Sequence, residues 1–331
     1  MEKKKAYIVT VGAFLLLTTI LLVAFGANMQ QANVHVQGTV PEASFSAQVA
    51  TPVSLTLFKT YTGKYNYVAT GMGVRNTGRG TISLVLPRGT TMTNAFLYWT
   101  IFDNTTPNSN DNKIVVNGIL VTGTLIGTGP STAWTPARGY AYRAYVESVL
   151  SQTEGRYGIS YGLEIGGMSS NVINGTSPWV NDAAPEAESV HLIIVYSDPS
   201  LSSSKVQIYN GYSAIAGGSA AFNYAWPART GGTTRFTHLM IDNQIKGVIP
   251  YSKSVAFTFG PTTTTIDDKD ALNGKDPSIT SKATYQGSLS DTNTYDVGSL
   301  VAGAGGASTI TWNLSNDYIA VVGLAFASGV D

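Results

Sequence analysis

Five oxygen-bearing side chains, Asp267, Asp268, Asp270, Asn273 and Asp276, fall within the ten-residue stretch DDKDALNGKD. Ca²⁺ takes about six to eight oxygen ligands at roughly 2.3–2.6 Å, and a loop turning at Gly274 would offer it donors of the right kind. The order departs from an EF-hand, because Leu272 occupies a ligand position and no glutamate closes the set. A solvated acidic loop is the competing reading, and Ca²⁺ is the only cofactor the sequence raises. The segment DNTTPNSNDN from Asp103 has similar chemistry with fewer acids.

Modification chemistry is the next signal. Asn104-Thr105-Thr106, Asn174-Gly175-Thr176 and Asn313-Leu314-Ser315 are N-glycosylation sequons, the first two in turn-rich segments that a transferase could reach. Catalytic assemblies are not evident. Gly158-Ile159-Ser160-Tyr161-Gly162 matches G-x-S-x-G, but a nucleophile elbow needs a strand, a sharp turn and a helix. Here Tyr157, Ile159, Tyr161, Leu163 and Ile165 alternate straight through, so Ser160 is read as a strand residue. His35, His191 and His238 lie in separate strand-like runs without metal-ligand spacing. Glu186 and Glu188 share one strand face and are read as a solvated strand start. With no cysteine, thiol nucleophiles, thiolate metal sites and disulfides are excluded. The chain is accordingly read as non-enzymatic.

The elements that would position these residues begin after a distinct leader. Lys3, Lys4 and Lys5 precede an uncharged apolar run from Tyr7 to Gly26. A cleaved signal peptide has a shorter apolar core ending in small residues, and Ala24-Phe25-Gly26 offers such an end. A retained anchor needs about 20 apolar residues to cross the bilayer, which the run just reaches. Residues 1–29 are therefore a signal peptide or membrane anchor, with residues 7–26 forming an apolar helix in the membrane if uncleaved. Export to the cell surface or the medium follows in either case.

The 331 residues hold 20 basic and 20 acidic side chains, a charged fraction of 12%, about half that of an ordinary soluble domain. Without the first 26 residues, which carry three lysines and one glutamate, two net negative charges remain. This balance argues against nucleic acid as a partner. A surface built from Thr, Ser, Asn and Gly repels copies of itself only weakly.

Past the leader, period-two alternation punctuated by Gly, Asn and Pro predicts many short antiparallel strands. The fold class is all-β, an antiparallel β-sandwich of jelly-roll type over residues 61–331. Residues 30–60, interrupted by Pro41 and Pro52, read as an extended arm, either the first edge strands of the sandwich itself or a segment able to add a strand to another copy. Asn117-Gly118 predicts a type I′ hairpin. The one helical spacing, Tyr142 to Gln152, predicts about two turns. The run AFLYWTIF from Ala95 is apolar on both faces, with Phe96, Tyr98 and Phe102 opposite Leu97, Trp99 and Ile101. Such a strand is covered twice, either by loops of its own chain or by a neighbouring subunit.

The segments from Val74 (VRNTGRGTISLVLPRGTTMTNAFLYWTIFDN), VVNG at Val115, YRAYVESVL at Tyr142, LIIVYSDPSLSSSKVQIYNGY at Leu192 and DYIAVVGLAFASG at Asp317 resemble, in order, a family of exported archaeal and bacterial cell-surface domains. The resemblance covers roughly residues 60–331. It implies placement at the cell envelope beside adhesive or repetitive modules, and it supplies no catalytic residue.

These readings converge on an exported structural or adhesive envelope protein, a self-assembling filament or surface-layer subunit whose partners are copies of itself and surface glycans. The alternative is an extracellular carbohydrate-binding or glycan-processing β-sandwich, in which aromatic side chains would line an exposed groove.

Overall fold

The strands form three sheets; alternation buries one face of strands such as Gly80–Pro87, whereas Thr91–Asp103 and Glu186–Ser197 are buried on both. The computed structural model describes residues 50–133, 136–156, 158–175, 183–201, 203–228, 233–243, 253–267, 289–301, 303 and 305–330. Calcium candidates Asp268, Asp270, Asn273 and Asp276, His35, the apolar leader and residues 30–49 of the arm lie outside them. Among the described residues no helix is long and apolar enough to cross a membrane.

In chain order the strands are β1 (Thr51–Pro52), β2 (Leu55–Gly63), β3 (Tyr65–Gly73), β4 (Gly80–Pro87), β5 (Thr91–Asp103), β6 (Lys113–Val116), β7 (Ile119–Thr122), β8 (Thr124–Pro130) and β9 (Arg138–Tyr145). They continue as β10 (Ser151–Gly155), β11 (Gly158–Gly166), β12 (Glu186–Ser197), β13 (Ser204–Trp226), β14 (Thr233–Asn243), β15 (Lys253–Phe259), β16 (Thr262–Asp267), β17 (Leu289–Asp296) and β18 (Gly306–Val330). All pairings are antiparallel except β1 with β13.

The central sheet runs β3-β12-β5-β9-β8. One face packs on an outer sheet of β4, β6, β7, β10 and β11, where Leu97, Trp99 and Ile101 meet Ile82, Ile114, Leu163 and Ile165. The opposite face packs on the third sheet, where Phe96, Tyr98 and Phe102 meet Val206, Ile208, Leu239 and Ile241. The two faces of AFLYWTIF are thus covered by sheets of the same chain, neither by loops nor by a second subunit.

The third sheet contains β1, β2 and β13–β18 and folds back on itself. In the ladder Tyr224 lies opposite Ser308 and Phe326 opposite Gln207, yet the rings of Tyr224 and Phe326 stack at 3.8 Å. The bend sits at the register shift between Ala216 and Gly218, where Gly217 and Gly218 take φ of 67° and 74°, a region that costs glycine little. Trp226, Phe257, Ile310 and Trp312 close over Phe236, Val321 and Phe326 to form a further core.

Two local expectations meet different outcomes. Asn117 and Gly118 have φ of 50° and 80° between β6 and β7, as a type I′ turn requires. The predicted helix at Tyr142 is absent. Tyr140 and Tyr142 lie in β9, and only a 3-10 turn at Glu147–Val149 precedes β10. Apolar residues at positions 142, 145, 146 and 149 fit helical spacing, but pairing with β5 and β8 claims the first two for a sheet. The end of the stretch read as the arm forms β1 and most of β2, both paired with β13 of the same chain, so this part follows the edge-strand reading.

Candidate functional site

A polar seam runs between the central and third sheets. At one end Tyr67 Oη hydrogen-bonds the Thr237 hydroxyl at 2.9 Å and donates to the Ala325 carbonyl at 3.1 Å, while Thr237 meets Thr294 at 2.6 Å. Arg235 donates to the Tyr67 carbonyl and to Asn66 and lies 5.0 Å over the Tyr67 ring. Burial outweighs the Arg235 charge and pushes the Tyr67 phenol up to about 12. Midway, His191 holds Thr292 at 2.9 Å and Ser189 at 3.1 Å. Burial, then the neighbouring His238, pushes its imidazole down to about 3, so it stays neutral and works as a hydrogen-bonding spacer.

The far end carries the densest charge. Arg75, in the turn after β3, donates from Nε to Glu188 at 2.7 Å and from Nη2 to Asp242 at 2.8 Å, with Glu186 at 3.7 Å. Its guanidinium lies 5.8 Å from the Phe102 ring centre. Two irregularities aim the acids at it. Register shifts drop Glu188 out of the β12–β5 ladder and Asp242 out of the β14–β17 ladder, and Asp242 takes φ of 59°. Bulges of this kind redirect a side chain that regular pairing would send elsewhere. The Val74 amide donates to the Glu188 carbonyl at 2.9 Å and fixes the turn.

Glu186 and Glu188 are therefore not a solvated strand start: their exposures are 1% and 0%. Third-sheet residues cover them, a fact invisible in the local pattern. Burial pushes the Glu188 carboxyl up to about 8 against the opposing pull of Arg75, with Asp242 adding to the rise. Asp242, Glu188 and Glu186 in turn hold the Arg75 guanidinium well above its usual range despite burial. Three carboxylates thus converge on the Arg75 guanidinium. Chemically this is a clasp between sheets.

Other predicted residues are scattered. Ser160 lies in β11 opposite Thr153 and Val85, as the alternation requires. His238 accepts from the Trp312 indole at 3.2 Å. Asn104 and Asn174 are exposed in loops. Asn313 is held within β18, accepting from Ser219 at 2.8 Å and donating to Ser254 at 3.3 Å; glycosylation there would require the ladder to open. Asp267 ends β16.

Sequence reasoning missed Arg75 and Asp242, whose partners stand 113 and 167 positions away along the chain. It also missed the depth of Asp103 and Asp111, which are 3% and 0% exposed. The Asn108 amide donates to both carboxylates, at 3.0 and 2.9 Å.

No family model matches the chain, and no curated protein matches it. Among solved structures it is similar to PNGase F, a glycosylasparaginase from Flavobacterium meningosepticum, with 13% identity, 80% of this chain and 96% of that one covered, and a TM-score of 0.27. It is similar also to the major capsid protein P2 of bacteriophage PM2, with 12% identity, 80% and 98% covered, and a TM-score of 0.22. A chain described with the triple jelly roll fold and turret assembly of an archaeal virus matches at 11% identity, 80% and 60% covered, and a TM-score of 0.21. At these TM-scores the likenesses transfer no residue, activity or partner, and the all-β assignment rests on this chain's own three sheets.

Proposed function

We propose that this chain is an exported structural or adhesive envelope protein, a jelly-roll-type sandwich that assembles with copies of itself through strand addition. The observation that carries the reading is the outer edge of β13. The Val53 amide donates to the Ala221 carbonyl at 2.8 Å, so the backbone groups of Ala221 face away from β18. By strand alternation those of Asn223 and Ala225 do the same. β1 covers only Ala220 and Ala221, and among the described residues no strand pairs with that edge beyond them. Residues 30–49 precede β1 along the chain, and the same segment from a second copy is the occupant we assign to the open edge. Open edges invite such pairing.

Low surface charge supports the same reading, since little repulsion opposes association. Glycans on Asn104 and Asn174 would belong to a protein placed outside the cell. The glycan-binding alternative calls for aromatics along a surface groove. The exposed large apolar side chains among the described residues include two aromatics, Tyr145 and Tyr318, on β9 and β18 respectively.

Light scattering and negative-stain microscopy of the full chain test the proposal. Ordered assemblies are expected, dispersed by Ala225→Pro and by deletion of residues 30–49 while the far-UV spectrum stays that of a folded β protein. Proline at 225 removes an outward-facing amide and leaves the β18 ladder untouched. A wild-type chain that stays monomeric at high concentration, or assemblies indifferent to both changes, would overturn it.

A further inference from the structure

The loop from β5 to β6 brings two acids together under the end of the central sheet. Asp103 Oδ1 accepts from the Asn104 amide at 2.8 Å, and its Oδ2 shares the Asn108 amide with Asp111 Oδ2. Asp111 is fully buried, and its Oδ1 receives no hydrogen bond. The Ser169 hydroxyl lies beside the Asp111 carboxyl. Neither acid has a cationic partner: none of the ion pairs among the described residues includes Asp103 or Asp111. Arg138, opposite Asp103 in the β5–β9 ladder, turns instead to the Thr128 hydroxyl at 3.4 Å. Lys113 reaches Asn110 at 3.2 Å, on the exposed side of the loop. The remaining titratable neighbours, Tyr140 and Tyr142, bring no positive charge.

Two buried carboxylates side by side without a cation are strongly unfavourable when both are ionised. Either a proton or a metal ion must compensate them. We propose that Asp103 and Asp111 form the anionic half of a divalent-cation site that takes Ca²⁺, with Ser169, backbone carbonyls and water supplying the other oxygens. Hard oxygen donors in a loop suit Ca²⁺, which tolerates irregular geometry, better than Mg²⁺ with its strict octahedron.

The Trp99 indole donates to the Asp111 backbone carbonyl at 2.9 Å, which provides a local reporter. Terbium luminescence excited through tryptophan is measured on the full chain at neutral pH, with Ca²⁺ as competitor. Saturable emission, displaced by Ca²⁺ and reduced at least tenfold in Asp111→Asn and Asp103→Asn but retained in Asp268→Ala, is expected. Ca²⁺ should also raise the wild-type melting temperature by about 2–4 °C and leave Asp111→Asn unmoved. In chelator Asp111→Asn should melt no lower than wild type, which shows that it folds. No saturable emission, together with a melting temperature that neither Ca²⁺ nor chelator moves, would mean that no cation binds there, and the proposal would fail. Emission lost in Asp268→Ala but kept in Asp111→Asn would move the site to the DDKDALNGKD loop and equally overturn it.

Discussion

Arg75 shows how one side chain sets the cost of burying others. Glu186, Glu188 and Asp242 are tolerable in the interior because a guanidinium bridges them. Removing it leaves uncompensated buried charge, which costs about 3–5 kcal/mol. We expect Arg75→Met to lower stability by that amount at neutral pH in denaturant titrations, and by less in acid, where the stranded carboxylates take up protons. Glu188 carries the linked pH effect. Its folded pKa is raised from 4.5 to about 8, so its contribution to stability is full below the unfolded value and is lost as pH rises through about 8. Melting curves from about pH 6 to 9 should decline in wild type and flatten in Glu188→Gln. None of this cluster was legible from spacing. Glu186 and Glu188 read as surface acids because an i, i+2 pair at a strand start is indistinguishable from a solvated one until a second sheet covers it.

Strands were the legible level. β11 follows the alternation of its residues, β5 follows from a run apolar on both faces, and the Asn117-Gly118 turn follows from the φ that these two residues tolerate. The 142–152 segment did not, since short apolar spacings fit a helix and a strand alike and pairing with β5 decided the matter. Docking between elements also depends on residues that sequence treats as mere punctuation. A Cβ on Gly139 of β9 would lie 2.2 Å from the Tyr212 hydroxyl and 2.3 Å from its Cζ, and one on Gly129 of β8 would lie 2.8 Å from the same ring. Tyr212, on β13, donates to the Pro130 carbonyl at 2.9 Å, so its ring is tied to β8 and cannot simply swing away. Gly139→Ala should therefore destabilise by about 1–3 kcal/mol, the usual cost of overpacking, measured by urea unfolding. A variant as stable as wild type would show that the third sheet moves freely against β8 and β9.

At the scale of the whole molecule, a charged fraction of 12% with signs balanced leaves hydrogen-bonding edges and uncharged faces as the means of association. The proposed self-assembly through β13 should then depend little on ionic strength, because backbone pairing between uncharged residues is not screened. Light scattering at low and high salt should give the same size distribution; dissolution by salt would point to charge pairs instead. The amino-acid sequence by itself determined the β class, the Asn117-Gly118 hairpin turn, the near-neutral charge balance and the need for the Ala95 strand to be covered twice. Each of these depends on neighbours along the chain, on composition or on backbone torsions. Only the tertiary structure decided that this chain's own sheets supply both covers, that the third sheet doubles back at Gly217 and Gly218, and that Arg75, Glu186, Glu188 and Asp242 share one buried site. Those outcomes depend on which distant strands pair and where bulges break the ladder, and alternation, with its period of two, is the same for every choice of partner.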